Sequence, residues 1–271
     1  MKQFVKLVIG ALVYACWRLL SPRRLAAVRE QFFASHSLSF LERQVQAFIL
    51  WRAPRSTDIA SHYWSGKAGS RFHEGSDHRL TLDVVAADDF YRRPMLDEFA
   101  QRAATALQPD ASIIEVGCGA GGNLLYLRSK LAPLRFRYQG YDINEEVIAS
   151  TRGHNCDDLA FAVRNCFSNE LRVPGNLGLI CCAVLMYVEE ADIKRFLSAT
   201  AHNNSGRILL GISEPIGDPE AAQASGHNNL AFVHGYRRIL RELQFRRLFE
   251  TFRQERGKST RIYHAVYDFP R

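Results

Sequence analysis

Apolar and polar positions change their period several times along the chain. Leu7 to Trp17 is apolar throughout, bounded by cations on both sides. A second apolar stretch, LSFLERQVQAFILW from Leu38 to Trp51, spaces Leu41, Val45, Phe48 and Leu50 near the helical repeat until Pro54 stops it. Residues 56–79 are polar, glycine-dotted and aromatic, which fits either a loop carrying Tyr63, Trp64, Arg71, Phe72 and His73 over a binding site or a partly buried connector. Beyond Leu96 the pattern becomes regular. MLDEFAQRAATALQ predicts a helix ended by Pro109, and the β-like runs SIIEVG, FRYQGYD, LAFAVRN, LGLICCAVL and RILLGIS then alternate with helices from Gly122, Asn144 and Glu189. Alternation of this kind predicts an α/β fold with a parallel sheet. The end differs: HNNLAFVHGYRRILRELQ predicts an amphipathic helix, and FRRLFETFRQ and TRIYHAVYDF predict an antiparallel strand pair joined at ERGKS.

Charge separates the ends. The formal net charge is +7, and residues 1–55 alone hold nine Lys or Arg against Glu30 and Glu42, so the remainder is balanced. A neutral body lacks the basic face that phosphate contacts require, and nucleic acid is not an expected partner. The apolar run falls short of the roughly 20 residues of a span, although Phe4 to Leu20 comes close if Lys6 and Arg18 snorkel. Three readings stay open: an anchor or interfacial helix that puts residues 1–24 on the inner leaflet, a cleaved signal peptide with VYAC as an imperfect lipoprotein box, or a helix packed on the domain behind it. More cations follow the run than precede it, which keeps an anchored chain cytoplasmic. The six cysteines form no CxxC pair and have no His at zinc-like spacing, so no metal is expected and free thiols suit a reducing compartment.

The informative chemistry is EVGCGAGG, which follows a predicted strand and opens a helix, where a ligand meets backbone amides at the mouth of a sheet. It satisfies GxGxxG through Gly117, Gly119 and Gly122, and GxGxG through Gly117, Gly119 and Gly121. Glu115 discriminates between ligands. Like charges ~5 Å apart at an effective dielectric of ~20 repel by roughly 3 kcal/mol, so a pyrophosphate is disfavoured there. S-adenosylmethionine brings a sulfonium and an ammonium group instead, for which the carboxylate is an attractive neighbour. Asp142 closes the next predicted strand, where an acidic side chain can accept both hydroxyls of a ribose; a helix N-cap role for Asp142 or Asn144 is compatible with this.

These residues resemble the class I S-adenosylmethionine-dependent methyltransferases, IIEVGCGAGG their first motif and GYDIN the acidic end of their second strand. The similarity continues less specifically through LGLICCAVLMYVEEADIKRFL, RILLGISEP and FVHGYRRILRELQF, over roughly Leu96 to Phe269. It implies a Rossmann-like, doubly wound, mostly parallel seven-stranded sheet with a terminal antiparallel pair, preceded by an N-terminal helical segment. The chain then divides into that segment (1–55), a lead-in loop and helix (56–110) and the S-adenosylmethionine-binding domain (111–271). The resemblance further implies that Glu115, Gly117, Gly119 and Gly121 shape the methionine end of the cofactor site, that Asp142 holds the ribose, that Ile143 lies against the adenine and that Asn165 stands near its amino group. Two positions depart from the family pattern. Leu177 and Gly178 replace an aspartate at the start of the fourth strand, and Gln244 replaces a glycine before Phe245.

Methyl transfer needs alignment and exclusion of water, and an oxygen nucleophile often needs a general base. Tyr187, Glu214 and His234 are the candidates near the mouth of the sheet, and His62 and His73 could join from the lead-in. A membrane-proximal N-terminus favours a small-molecule, glycan or lipid acceptor, methylated on oxygen. Two alternatives remain: a non-catalytic membrane-tethered module of the same fold, and an NAD(P)-dependent oxidoreductase that tolerates Glu115.

Overall fold

The computed structural model describes residues 61, 64–66, 81–87, 90–168, 170–216, 224–225, 231–254 and 261–270. The N-terminal segment 1–55, with its expected membrane contact, and His62, Tyr63, Arg71, Phe72 and His73 lie outside them. Among the described residues no helix is long and apolar enough to cross a membrane.

The elements in chain order are α1 (Leu82–Ala86), α2 (Arg93–Ala106), β1 (Ser112–Val116), α3 (Gly122–Lys130), β2 (Arg137–Asp142), α4 (Glu145–Thr151), β3 (Leu159–Val163) and β4 (Leu177–Cys182). They continue with α5 (Glu190–Asn203), β5 (Ile208–Ile216), β6 (Ala224–Ser225), β7 (Phe232–Val233), α6 (Tyr236–Glu242), β8 (Arg246–Gln254) and β9 (Arg261–Phe269). Seven strands form one sheet in the order β3-β2-β1-β4-β5-β9-β8, and β6 and β7 pair separately. Strands β1 to β5 run parallel, while β9 runs antiparallel to both β5 and β8. The doubly wound, mostly parallel sheet with its terminal antiparallel pair is therefore present.

Helices cover both faces, which is why β4, LGLICC, is buried at every position and reads as a continuous apolar run. On one face α2 presents Met95, Leu96, Phe99 and Ala103 to Ile113, Ile180, Leu209 and Val266. On the other, Ile193, Phe196 and Leu197 of α5 and Ile239 and Leu240 of α6 meet Leu179, Leu210 and Ala265. The close seat of α2 accounts for one departure from the family pattern: a Cβ at Gly178 would stand 2.8 Å from Cζ of Phe99. The start of β4 thus serves packing against α2.

The late helix is shorter than its apolar pattern predicts. It begins only at Tyr236, because Phe232–Val233 pairs with Ala224–Ser225 as β7, and His234 lies in the turn before the helix rather than in it. A short apolar run such as LAFV fits a strand or a helix equally well, and Gly235 at the N-cap separates the two elements. At the helix's other end, Phe245 N–H donates to the Leu240 carbonyl and Gln244 N–H to that of Arg241. This is a Schellman closure, and Gln244 occupies its left-handed position with φ 64°. The second departure therefore places a glutamine where the backbone favours glycine.

Candidate functional site

The order of strands reverses between β1 and β4, so their connections leave in opposite directions and open a crevice at the carboxyl ends of the strands. The loop Gly117–Gly121 lies in that crevice. Its backbone alternates into the left-handed region, with φ 70° at Gly117, 52° at Gly119 and 81° at Gly121. Packing adds a second demand for glycine. A Cβ at Gly117 would come 2.8 Å from Val184 Cγ2, and one at Gly121 would come 2.5 Å from Cζ of Phe161.

The loop amides are not bare, contrary to the expectation from sequence. Gly117 N–H and Cys118 N–H both donate to the Tyr141 carbonyl, at 2.8 and 3.0 Å, and Gly121 N–H donates to that of Cys118. Gly119 N–H donates to Oδ2 of Asp142 at 3.0 Å. Four of the donors that a pyrophosphate would require are thus consumed, three in fastening the loop to β2 and one within the loop, and the loop is a poor phosphate cradle.

Glu115 and Asp142 flank the loop. Glu115 is fully buried at the end of β1; its Oε1 accepts from Asn123 Nδ2 at 2.6 Å, and its Oε2 has no hydrogen-bond partner. Burial pushes its carboxyl up to about 8, against the opposing pull of Asn123 and the more distant Arg92. An oxygen left open beside a loop of engaged donors fits a cationic ligand, whose charge favours the ionised form of Glu115, better than an anionic one, which offers neither a donor nor a compensating charge. Asp142 accepts from Gly119 through Oδ2 and from Asn144 N–H through Oδ1, both at 3.0 Å. Each oxygen keeps lone-pair capacity for a ribose hydroxyl. Asn144 is the N-cap of α4, its Oδ1 accepting from Val147 N–H, so the acid and the cap are separate residues. Ile143, between them, is half-buried. Asn165 follows β3 and is half-buried, with Oδ1 accepting from Phe167 N–H at 3.0 Å.

The three candidate bases occupy different environments. Glu214 is fully buried at the end of β5, where Oε1 accepts from Val184 and Leu185 N–H at 2.9 Å each and Oε2 from Met186 N–H at 3.3 Å. Burial lifts it to about 7 despite those three donors. It holds the short 3-10 turn Leu185–Tyr187 that follows β4. His234 is also fully buried; its Nε2 lies 2.9 Å from the Val188 carbonyl, and burial depresses the ring to about 4. Tyr187 is half-buried at the mouth of the sheet, its ring centroid 4.7 Å from that of Trp64. Residues 64–66 are fastened there by Asn144 Nδ2, which donates to the carbonyls of Trp64 at 2.8 Å and Gly66 at 3.2 Å. Residues 64–66 accordingly touch both the N-cap of α4 and the turn after β4.

Two participants escaped the sequence reading. Asn123 was hidden in the first turn of α3 and is recognisable only by its bond to Glu115. Arg92, at the N-cap of α2, is buried and acts electrostatically on both Glu115 and Glu214. In the run FYRRP nothing distinguishes it from its neighbour Arg93, which turns outward to Asp97.

The comparisons agree with this geometry. Residues 113–203 match a family model described as a methyltransferase domain. Among solved structures, the magnesium protoporphyrin IX methyltransferase of Synechocystis PCC 6803 with bound SAM aligns at TM-score 0.52 and 16% identity, covering 79% of this chain and 98% of that one. A 1,6-didemethyltoxoflavin-N1-methyltransferase of Burkholderia thailandensis aligns at TM-score 0.58 and 13% identity, covering 81% and 93%. The cyclase SpnF shares the fold as well, at TM-score 0.57 and 14% identity over 80% and 98%. No curated protein matches the chain in sequence. The crevice, the loop and its two flanking carboxylates define a Rossmann-like domain of the methyltransferase type. The matched segment spans β1 to α5, so this part of the chain is a methyltransferase domain by its family model, and the whole sheet has the fold of the S-adenosylmethionine-dependent methyltransferases it aligns with.

Proposed function

We propose that the chain transfers the methyl group of S-adenosylmethionine to an oxygen of a small molecule, a glycan or a lipid. The observation that carries the cofactor half of this reading is the buried Glu115 carboxylate with one oxygen open, beside a loop whose amides are already bonded. Glu115 with Gly117, Gly119 and Gly121 forms the methionine end of the site, Asp142 takes the ribose, and Ile143 and Asn165 border the adenine.

S-adenosylmethionine supplies a methyl carbon already activated by a positive sulfur. The protein's part is alignment and exclusion of water. Trp64 and Tyr187 pack together at the turn after β4, and Tyr187 is the candidate base for an oxygen nucleophile, a role that requires its phenolate form. Glu214 and His234 hold the surrounding turns through backbone groups. The apolar, basic residues 1–24 suit an anionic inner leaflet, which favours an amphipathic acceptor delivered from a membrane.

Calorimetric titration of S-adenosylmethionine, S-adenosylhomocysteine and NADPH into the full chain tests the cofactor reading, with Asp142→Ala as control. Micromolar binding of the adenosyl ligands, lost in the variant and absent for NADPH, is the expected result. Binding of NADPH alone overturns it.

A further inference from the structure

A second polar cluster lies on the α2 face of β5 and β9, with Arg92 at the end nearer Glu115. Gly211 of β5 faces α2, where a Cβ would stand 2.8 Å from Sδ of Met95. Ser213, two residues further along the strand, points to the same face, and its lateral partners are Cys182 on β4 and His264 on β9. Arg92 caps the end of α2 that overlies this row. All three polar residues are at least nine-tenths buried: His264 is 0%, Ser213 2% and Arg92 6% exposed. None has the hydrogen bonds its burial calls for. Ser213 Oγ, Arg92 Nε and both ring nitrogens of His264 lack a partner. A fold seldom leaves one buried donor or acceptor unmet, so four such atoms on neighbouring residues mark a place built to be filled.

Charge and position say by what. Arg92 forms no ion pair with the described residues; Glu115 and Glu214 act on it only from a distance, their oxygens being bonded to Asn123 and to backbone amides. Burial keeps the His264 ring neutral near pH 7, holding it down at about 4. One ring nitrogen therefore donates and the other accepts. A guanidinium, a hydroxyl and an imidazole N–H together are the donor set of a carboxylate site. The cofactor's own carboxylate is one source of such a group, yet His264 lies three strand spacings from β1, roughly 14 Å, and Asp142 is a further strand away.

We propose that Arg92, Ser213 and His264 form the subsite that anchors the carboxylate of an acidic methyl acceptor. This rests on the methyltransferase reading and narrows its substrate class. The anchored carboxylate is a binding handle, and the methylated oxygen is elsewhere on the acceptor, nearer Tyr187.

The test uses the full chain saturated with S-adenosylhomocysteine, titrated with benzoate, 3-hydroxybenzoate and octanoate and with the corresponding neutral amides. The expected result is at least one acid binding ten times tighter than its amide, with Ser213→Ala and His264→Gln each weakening the acid fivefold or more. Their affinity for S-adenosylhomocysteine should stay within twofold of the parent. Melting curves check that both variants fold, and Ser213→Ala, which removes one oxygen atom, keeps the test alive if His264→Gln does not. Equal binding of acids and amides, or no binding of either, overturns the subsite and assigns the open atoms to buried water. A tenfold loss of S-adenosylhomocysteine affinity in the variants overturns it in favour of a cofactor role. Failure of the parent chain to bind S-adenosylhomocysteine at all instead refutes the methyltransferase reading, and the subsite with it.

Discussion

Replacing Asp142 by Asn tests the site where structure and chemistry depend on the same atoms. Each carboxylate oxygen accepts one buried backbone N–H at 3.0 Å, from Gly119 in the loop and from Asn144 at the cap of α4. An amide keeps one acceptor and turns a donor toward the other N–H. One buried backbone donor is then left unmet, which costs about 1–3 kcal/mol. At roughly 2–4 °C per kcal/mol for a domain of this size, the melting temperature should fall by about 2–12 °C. If the carboxylate also holds the ribose, the variant loses a charge-assisted bond worth about 1.5–3 kcal/mol, an affinity loss of about 10- to 150-fold. Differential scanning fluorimetry reads the first effect, and titration of S-adenosylhomocysteine reads the second. A melting temperature within 1 °C of the parent refutes the fastening of the loop by Asp142, and unchanged affinity refutes its ribose role.

Three further outcomes are expected. Gly121→Ala forces a side chain to φ 81° and into the Phe161 ring, so unfolding free energy should drop by about 2–5 kcal/mol in urea titration, and adding Phe161→Leu should recover the packing share; no recovery would locate the cost in the backbone alone. Gln244→Gly relaxes the left-handed closure of α6 and should stabilise by about 0.5–1 kcal/mol, whereas a loss of stability would show that the glutamine side chain does something at that turn. Burial raises Glu115 to about 8, so the folded state binds its proton more tightly than the unfolded chain does, and the stability this confers is complete below about pH 4.5 and lost as pH rises through 8. Glu214, lifted to about 7, acts in the same direction, so Glu115→Gln should reduce, without abolishing, the fall in melting temperature between pH 5 and 8.5; parallel curves for parent and variant would contradict the burial of an ionisable Glu115.

Much of this molecule was written in local pattern. The β-α alternation, the antiparallel ending and the loop between Glu115 and Asp142 could be read because each follows from short-range rules: period two or unbroken apolar runs for strands, period 3.6 for helices, glycine where φ turns positive. The same rules failed at LAFVHG. There an apolar run of four suits either element, and pairing with Ala224–Ser225, a contact outside the run, settled it as strand.

The sequence by itself determined the fold class and the chemical character of the loop, since a carboxylate two residues before Gly117 constrains the ligand's charge wherever the rest of the chain goes. Only the tertiary structure decided how each polar residue is used. Glu214 and His234 were as plausible as Tyr187 in one dimension, and burial against backbone groups separates them, a consequence of which strand ends meet which turns. Arg92 and His264, 172 positions apart in the chain, share a face because the order of strands places β9 beside β5 and α2 packs across both. Contacts of that separation carry no local signature: they arise when the sheet closes, and the unmet hydrogen bonds that make them informative exist only in the folded interior.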